Sequence, residues 1–217
     1  MNADDIFSRT TRNRLEIADM LDGLSAAQWQ EETLCEGWTV RHMAAHLVQP
    51  MLIGFGRFFI TAWRYRGNTA ATVDHLTRSI ARREPSDLVA ALRNHAPDRV
   101  DPPRVGPMGP FAETCVHLRD IARPLSLDVD ARRDDWLDVL AYLTSPQVAP
   151  ALVPRGRTSG IALRATDADW RWGQGPEAAG TLEALALAVT GRVGAVDDLD
   201  GPGRPILRLR MVEGTGA

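Results

Sequence analysis

Apolar residues return at every third or fourth position through most of the first 145 residues of this chain, and that rhythm breaks down after Pro150. A repeat near 3.6 commits a segment to a helix with one buried face, whereas a repeat of two commits it to a strand. The pattern therefore predicts a helical N-terminal part and a mixed C-terminal part. In DDIFSRTTRNRLEIADMLD, residues 4–22, Ile6, Phe7, Leu15, Ile17, Ala18 and Leu21 keep the helical spacing. Asp4 and Asp5 stand where a helix N-terminus favours negative charge. Gly23 ends this helix, and LSAAQWQEETLCEGW reads as a connecting loop with a short turn at SAAQW.

Thr39 is a good N-cap for a second helix, in which Val40, Met43, Ala44, Leu47 and Met51 form one apolar stripe. The pattern carries this helix to about Tyr65 with Pro50 inside it. Proline cannot donate to the carbonyl of residue 46 and its ring crowds that carbonyl, so a kink is expected beside His46. A third helix is expected from about Ala71 to Asn94, interrupted near Glu84 and Pro85, where Ser86 and Asp87 can cap a second segment. The run DRVDPPRVGPMGP, residues 98–110, holds four prolines and two glycines and reads as a loop of the kind that often covers a site. Further helices are predicted over Phe111–Leu125, with Pro124 marking the end, and over 132–145.

Beyond Pro150, GIALRATDADWRWGQG is predicted to form two short strands joined at TDAD. GPEAAGTLEALALAVTGR is predicted as a helix with Pro176 near its start and Gly191 as its stop. PILRLRM alternates Leu207, Leu209 and Met211 with Arg208 and Arg210, the period of a strand. The expected fold class is α+β: a helical bundle over residues 1–150, then a small mixed α/β subdomain over 151–217.

At 217 residues, 44% apolar and 24% charged, the chain can bury a full core. A net charge of −3 without a cationic stripe argues against nucleic acid as a partner. All 25 basic residues are arginine, which removes Schiff-base lysine and P-loop chemistry. Cys35 and Cys115 are too few for a disulfide framework, and MNADDIFSRTTRNRL has no apolar signal region. The longest apolar stretch, MLIGFGRFFITAW, is broken by Gly54, Gly56 and Arg57 and falls short of a bilayer span. The expectation is a cytoplasmic protein, monomer or homodimer, with no membrane and no nucleic-acid partner.

Glu113 and His117 lie four apart on one predicted helix and share a face, while His46 lies on another. In a bundle both helices can face the core, and two histidines with a carboxylate are the ligand types of an open zinc site. By spacing alone two readings stay open: a metal site, or a capping or paired Glu113 beside a core histidine. His42 and His46 form a rival pair, unless His42 faces solvent. Asp120, three residues after His117, either supports it or pairs with Arg119 or Arg123. His75 and His95 have no sequence partner, Cys115 reads as a small core residue, and the exposure of the loop residue Cys35 is not legible. Trp170 and Trp172 share a strand face that closes a core or lines a pocket.

The runs WTVRHMAAHL and ETCVHLRDIARPL, with DADWRWGQG and LAVTGR, resemble the mycothiol-dependent maleylpyruvate isomerase family, a branch of the DinB-like metal-binding bundles. The resemblance spans nearly the whole chain. It implies an up-and-down four-helix bundle with an α/β subdomain, and metal ligands at His46, Glu113 and His117 with Asp120 as an orienting residue. It also implies a divalent metal, zinc above others, and mycothiol as thiol cosubstrate. His42 departs from the family pattern, which more commonly has an acidic or other polar residue there.

The leading expectation is accordingly a zinc-dependent enzyme that uses a low-molecular-weight thiol for isomerisation or thiol transfer on a small electrophilic, carboxylate-bearing substrate. The alternative is a non-catalytic metal-binding or structural bundle serving as a binding or stress-response module. A metal-dependent hydrolase stands third, because no separate general base is evident.

Overall fold

The computed structural model describes residues 2–103, 105–130 and 132–214. Nine α-helices and three strands follow one another among them: α1 (Ala3–Asp22), α2 (Val40–Leu52), α3 (Phe55–Arg64), α4 (Thr69–Ile80), α5 (Pro85–Asn94), α6 (Met108–Ala122), α7 (Arg133–Leu143), β1 (Ala162–Ala165), β2 (Arg171–Gly173), β3 (Glu177–Gly180), α8 (Leu182–Val189) and α9 (Arg204–Gly214). Short 3-10 turns occupy Gln28–Gln30 and Val193–Val196. The chain forms two compact units, Met1–Asp128 and Val129–Ala217. The helix predicted over 132–145 therefore groups with the second unit.

In the first unit α1, α5, α2 and α6 form a closed ring in which each helix packs on two others, with α4 against α2 and α3 against α4. Its core is Ile17, Ala18 and Leu21 from α1, Val40, Met43, Ala44 and Val48 from α2, Leu88 and Leu92 from α5, and Phe111, Val116 and Ile121 from α6. Asn2 caps α1 by accepting a hydrogen bond from the Asp5 amide at 2.8 Å. α6 is buried on nearly every side, so its polar members His117 and Asp120 lie inside the bundle.

Three N-terminal expectations change. The helix predicted through Tyr65 ends at Leu52, because Ile53 (φ −108°, ψ 104°) and Gly54 are extended, and α3 starts afresh. Pro50 stays within α2, one turn after His46. The helix expected from Phe111 begins at Met108, with Pro110 in its first turn, where a missing N–H costs nothing. The loop is shorter by those three residues.

In the second unit β1 lies at the centre of a sheet of order β2-β1-β3, antiparallel to β2 and parallel to β3. α8 packs on β1, β3 and α7, and α9 packs on β3. Gly173 (φ 75°) closes β2 where a Cβ would lie 2.4 Å from the Ile161 carbonyl oxygen, so no other residue fits without a shift. GPEAAG, read from sequence as the start of a helix, holds β3 instead. Ala178, Ala179 and Gly180 are buried and pair with Leu163, Arg164 and Ala165. Small side chains carry no period of their own, and pairing decides. The helix starts after them, capped by the Thr181 hydroxyl (3.1 Å to the Ala184 amide) and by the Asp167 carboxylate (2.9 Å to the Leu182 amide). PILRLRM is helical in α9, not a strand: Leu207 (0% exposed) and Met211 (2%) lie four apart on the inner face, while Leu209 is 59% exposed.

Candidate metal centre

The site is built from a loop and two helices. Around ETLCEGW, the Thr33 amide and hydroxyl both donate to the Trp38 carbonyl (2.9 and 2.8 Å). The Cys35 amide donates to the Thr33 hydroxyl (3.2 Å) and the Trp38 amide to the Cys35 carbonyl (3.0 Å). Gly37, at φ 74°, supplies the left-handed residue that this tight turn requires. The Leu34 amide donates to the Asp120 carbonyl (3.1 Å), which ties the loop to α6.

His46, half-buried on α2, meets His117 of α6 edge to face, with ring centroids 5.0 Å apart. The Trp38 ring packs against His46, with centroids 5.0 Å apart, and its indole N–H donates to Asp74 at 3.0 Å. Asp120 is fully buried, and its Oδ2 lies 2.8 Å from His117 Nδ1. The Cys35 thiol donates to the same carboxylate oxygen at 3.3 Å. Glu113 lies one turn before His117 on α6, half-buried, and its charge acts on the buried Arg14 guanidinium.

Burial is the largest influence on His117 and favours the neutral ring, but the hydrogen bonds and charges of Asp120 and Cys35 together outweigh it. The imidazole pKa is thereby raised from 6.5 to about 9. His42 is shifted the other way, by burial first and by the Arg78 charge second. Its neutral Nδ1 accepts from the Thr39 amide (3.2 Å) and lies 2.9 Å from the Thr39 hydroxyl, closing a reciprocal cap on α2. That bonding commits Nδ1 of His42 to the start of α2.

Of the sequence-predicted residues, His46, His117 and Asp120 come together, with Glu113 on the same helix as the last two. Among the described residues, the group whose ligand atoms all lie within 4.8 Å of one another is Cys35, His117 and Asp120. Cys35 is the residue that sequence reasoning missed. Its contact with Asp120 spans 85 positions and leaves no periodic signal. His75 is exposed beside Tyr65, and His95 bonds to Asp98 at 2.7 Å, both away from the pair. Cys115 is buried and accepts from the Asn13 amide nitrogen at 3.3 Å. Trp170 and Trp172 are both half-buried.

The model of the mycothiol maleylpyruvate isomerase N-terminal domain matches residues 11–122, slightly more than half of the chain, which include the loop of Cys35, α2 and α6. The chain belongs to the mycothiol-dependent maleylpyruvate isomerase family. Two crystal structures share its fold, one of mycothiol-dependent maleylpyruvate isomerase and one of a histidine-to-alanine mutant of that enzyme. The TM-scores are 0.56 and 0.59, each at 14% identity with 93% of both chains covered. The chain has no match among curated proteins. Among the described residues no helix is long and apolar enough to cross a membrane.

The donor set fits a divalent ion of the kind this family implies. Two imidazoles meet edge to face, and one of them has a buried carboxylate on Nδ1, the arrangement that fixes the ring of a metal-binding histidine.

Proposed function

We propose that this family member is a zinc-dependent enzyme that uses a low-molecular-weight thiol, mycothiol, in isomerisation or thiol transfer on a small electrophilic, carboxylate-bearing molecule. The observation that carries the reading is the meeting of His46 and His117 over a buried Asp120. His46, Glu113 and His117 are the proposed metal ligands, and Asp120 orients His117 through Nδ1. The similar structures, both of mycothiol-dependent maleylpyruvate isomerase, support mycothiol as the thiol.

A bound zinc ion would lower the pKa of a coordinated thiol, so that a thiolate nucleophile stands ready at neutral pH. The chain's own residues do the rest. Trp38, held by Asp74, packs on His46 and restricts the positions its ring can take. Asp120 fixes the tautomer of His117, which a metal ligand requires.

Elemental analysis of the untagged protein beside His46→Ala tests the site. About one divalent ion per wild-type chain and almost none in the variant is the expected result. Turnover of electrophilic acids that depends on added thiol then tests the chemistry. Turnover without thiol would favour a hydrolase, and metal binding without any turnover a binding module.

A further inference from the structure

We propose that Cys35 supplies a protein sulfur ligand to this metal centre; the proposal rests on the metal reading above. The Cys35 sulfur, a His117 ring nitrogen and an Asp120 oxygen all lie within 4.8 Å of one another. Ligand atoms about 2.0–2.3 Å from a tetrahedral ion sit roughly 3.3–3.8 Å apart, so a sulfur within 4.8 Å of a His117 ring nitrogen is near enough for a side-chain rotation to carry it onto an ion held by that ring.

The loop that carries Cys35 is shaped for this. Its turn is locked by Thr33 and Gly37, it is tied to α6 through Leu34, and it carries Trp38 onto His46 while it carries Cys35 onto Asp120. Both functional groups of one tight turn thus converge on the two histidines. Asp120 and His117 are nearly sealed from solvent, at 0% and 6% exposure, and a thiolate among buried donors selects soft or borderline ions over magnesium or calcium.

The sulfur position at the ion is then occupied by Cys35 until a cosubstrate thiol arrives. The exchange is a ligand substitution with no redox change. The incoming thiol gives up its proton on binding, and the departing Cys35 thiolate takes one up.

Cobalt(II) reports sulfur ligation directly, by an intense thiolate-to-metal charge-transfer band in the near ultraviolet. The full chain is loaded with cobalt in a buffer with a phosphine reductant and no thiol. The band is expected in wild type and in Cys115→Ser, and is lost in Cys35→Ser while cobalt remains bound. A second readout leaves Cys35 in place: in the Cys115→Ser background, zinc should slow alkylation of the half-exposed Cys35 by iodoacetamide about tenfold or more. Stoichiometric cobalt with no charge-transfer band, or alkylation unchanged by zinc, overturns the proposal and leaves the metal reading standing. Failure to bind cobalt or zinc at all overturns both.

Discussion

At His117 burial and charge pull in opposite directions. The ring is 6% exposed, yet Asp120 and Cys35 hold its pKa at about 9 against an ordinary 6.5. A folded-state pKa above the unfolded one contributes stability that is fully present below pH 6.5 and lost as pH rises through 9. Denaturant melts of metal-free protein should accordingly show falling stability across that window, and Asp120→Asn should flatten the fall. A metal ligand must give up its acidic proton, so ion binding expels the one on His117, which by itself makes affinity climb by about tenfold per pH unit up to pH 9, and Cys35 as a ligand releases a second. Titration calorimetry in buffers of different ionisation enthalpy would count the protons released: one from His117 alone, two with Cys35 as a ligand. His42 has a separate task. His42→Ala should cost about 1 kcal/mol in urea melts, through loss of the cap on α2, with metal content unchanged. The spacing of Glu113, His117 and Asp120 marked α6 as the helix to watch. No local pattern, however, announces which loop residue will touch Asp120, because that contact depends on how α2 and α6 pack.

The elements that were legible are those whose side chains carry a strong period. α1, α4 and α5 lie close to where their apolar stripes and breakers put them, although α5 starts at Pro85 after Glu84 and not from a Ser86 or Asp87 cap. β3 and α9 were not legible, for opposite reasons. The residues of β3 are too small to show a period, and α9 alternates arginine with apolar residues by coincidence. The distinction is measurable: Leu207→Ala should destabilise by about 2–4 kcal/mol, and Leu209→Ala by less than about 0.5 kcal/mol. A strand with one buried face would make the two equal. α3 also departs from the usual rule, since Phe59, Ile60 and Trp63 are 64%, 65% and 83% exposed. Serine at any of the three should leave the thermal midpoint nearly unchanged.

Across the whole chain, the change of period after Pro150 located the sheet, while contacts draw the division after Asp128. The helix Arg133–Leu143 looks like one more bundle helix in sequence, and only its packing on α8 reveals its allegiance. The proposed metal ligands and Cys35 all lie in the first unit. Metal at a hundred times its dissociation constant should therefore stabilise that unit by about 2.7 kcal/mol. In calorimetry or in hydrogen exchange, protection should rise on adding zinc for peptides of α1, α2, α5 and α6, and stay constant for those of β1 and α8.

The loop amide of Leu34 and the thiol of Cys35 are anchored on Asp120, and His46 meets its partner imidazole only on α6. During synthesis, a polypeptide still missing α6 has neither anchor. An emerging chain thus carries no formed site while its first five helices leave the ribosome, and ion loading becomes one of the last steps of this unit's maturation.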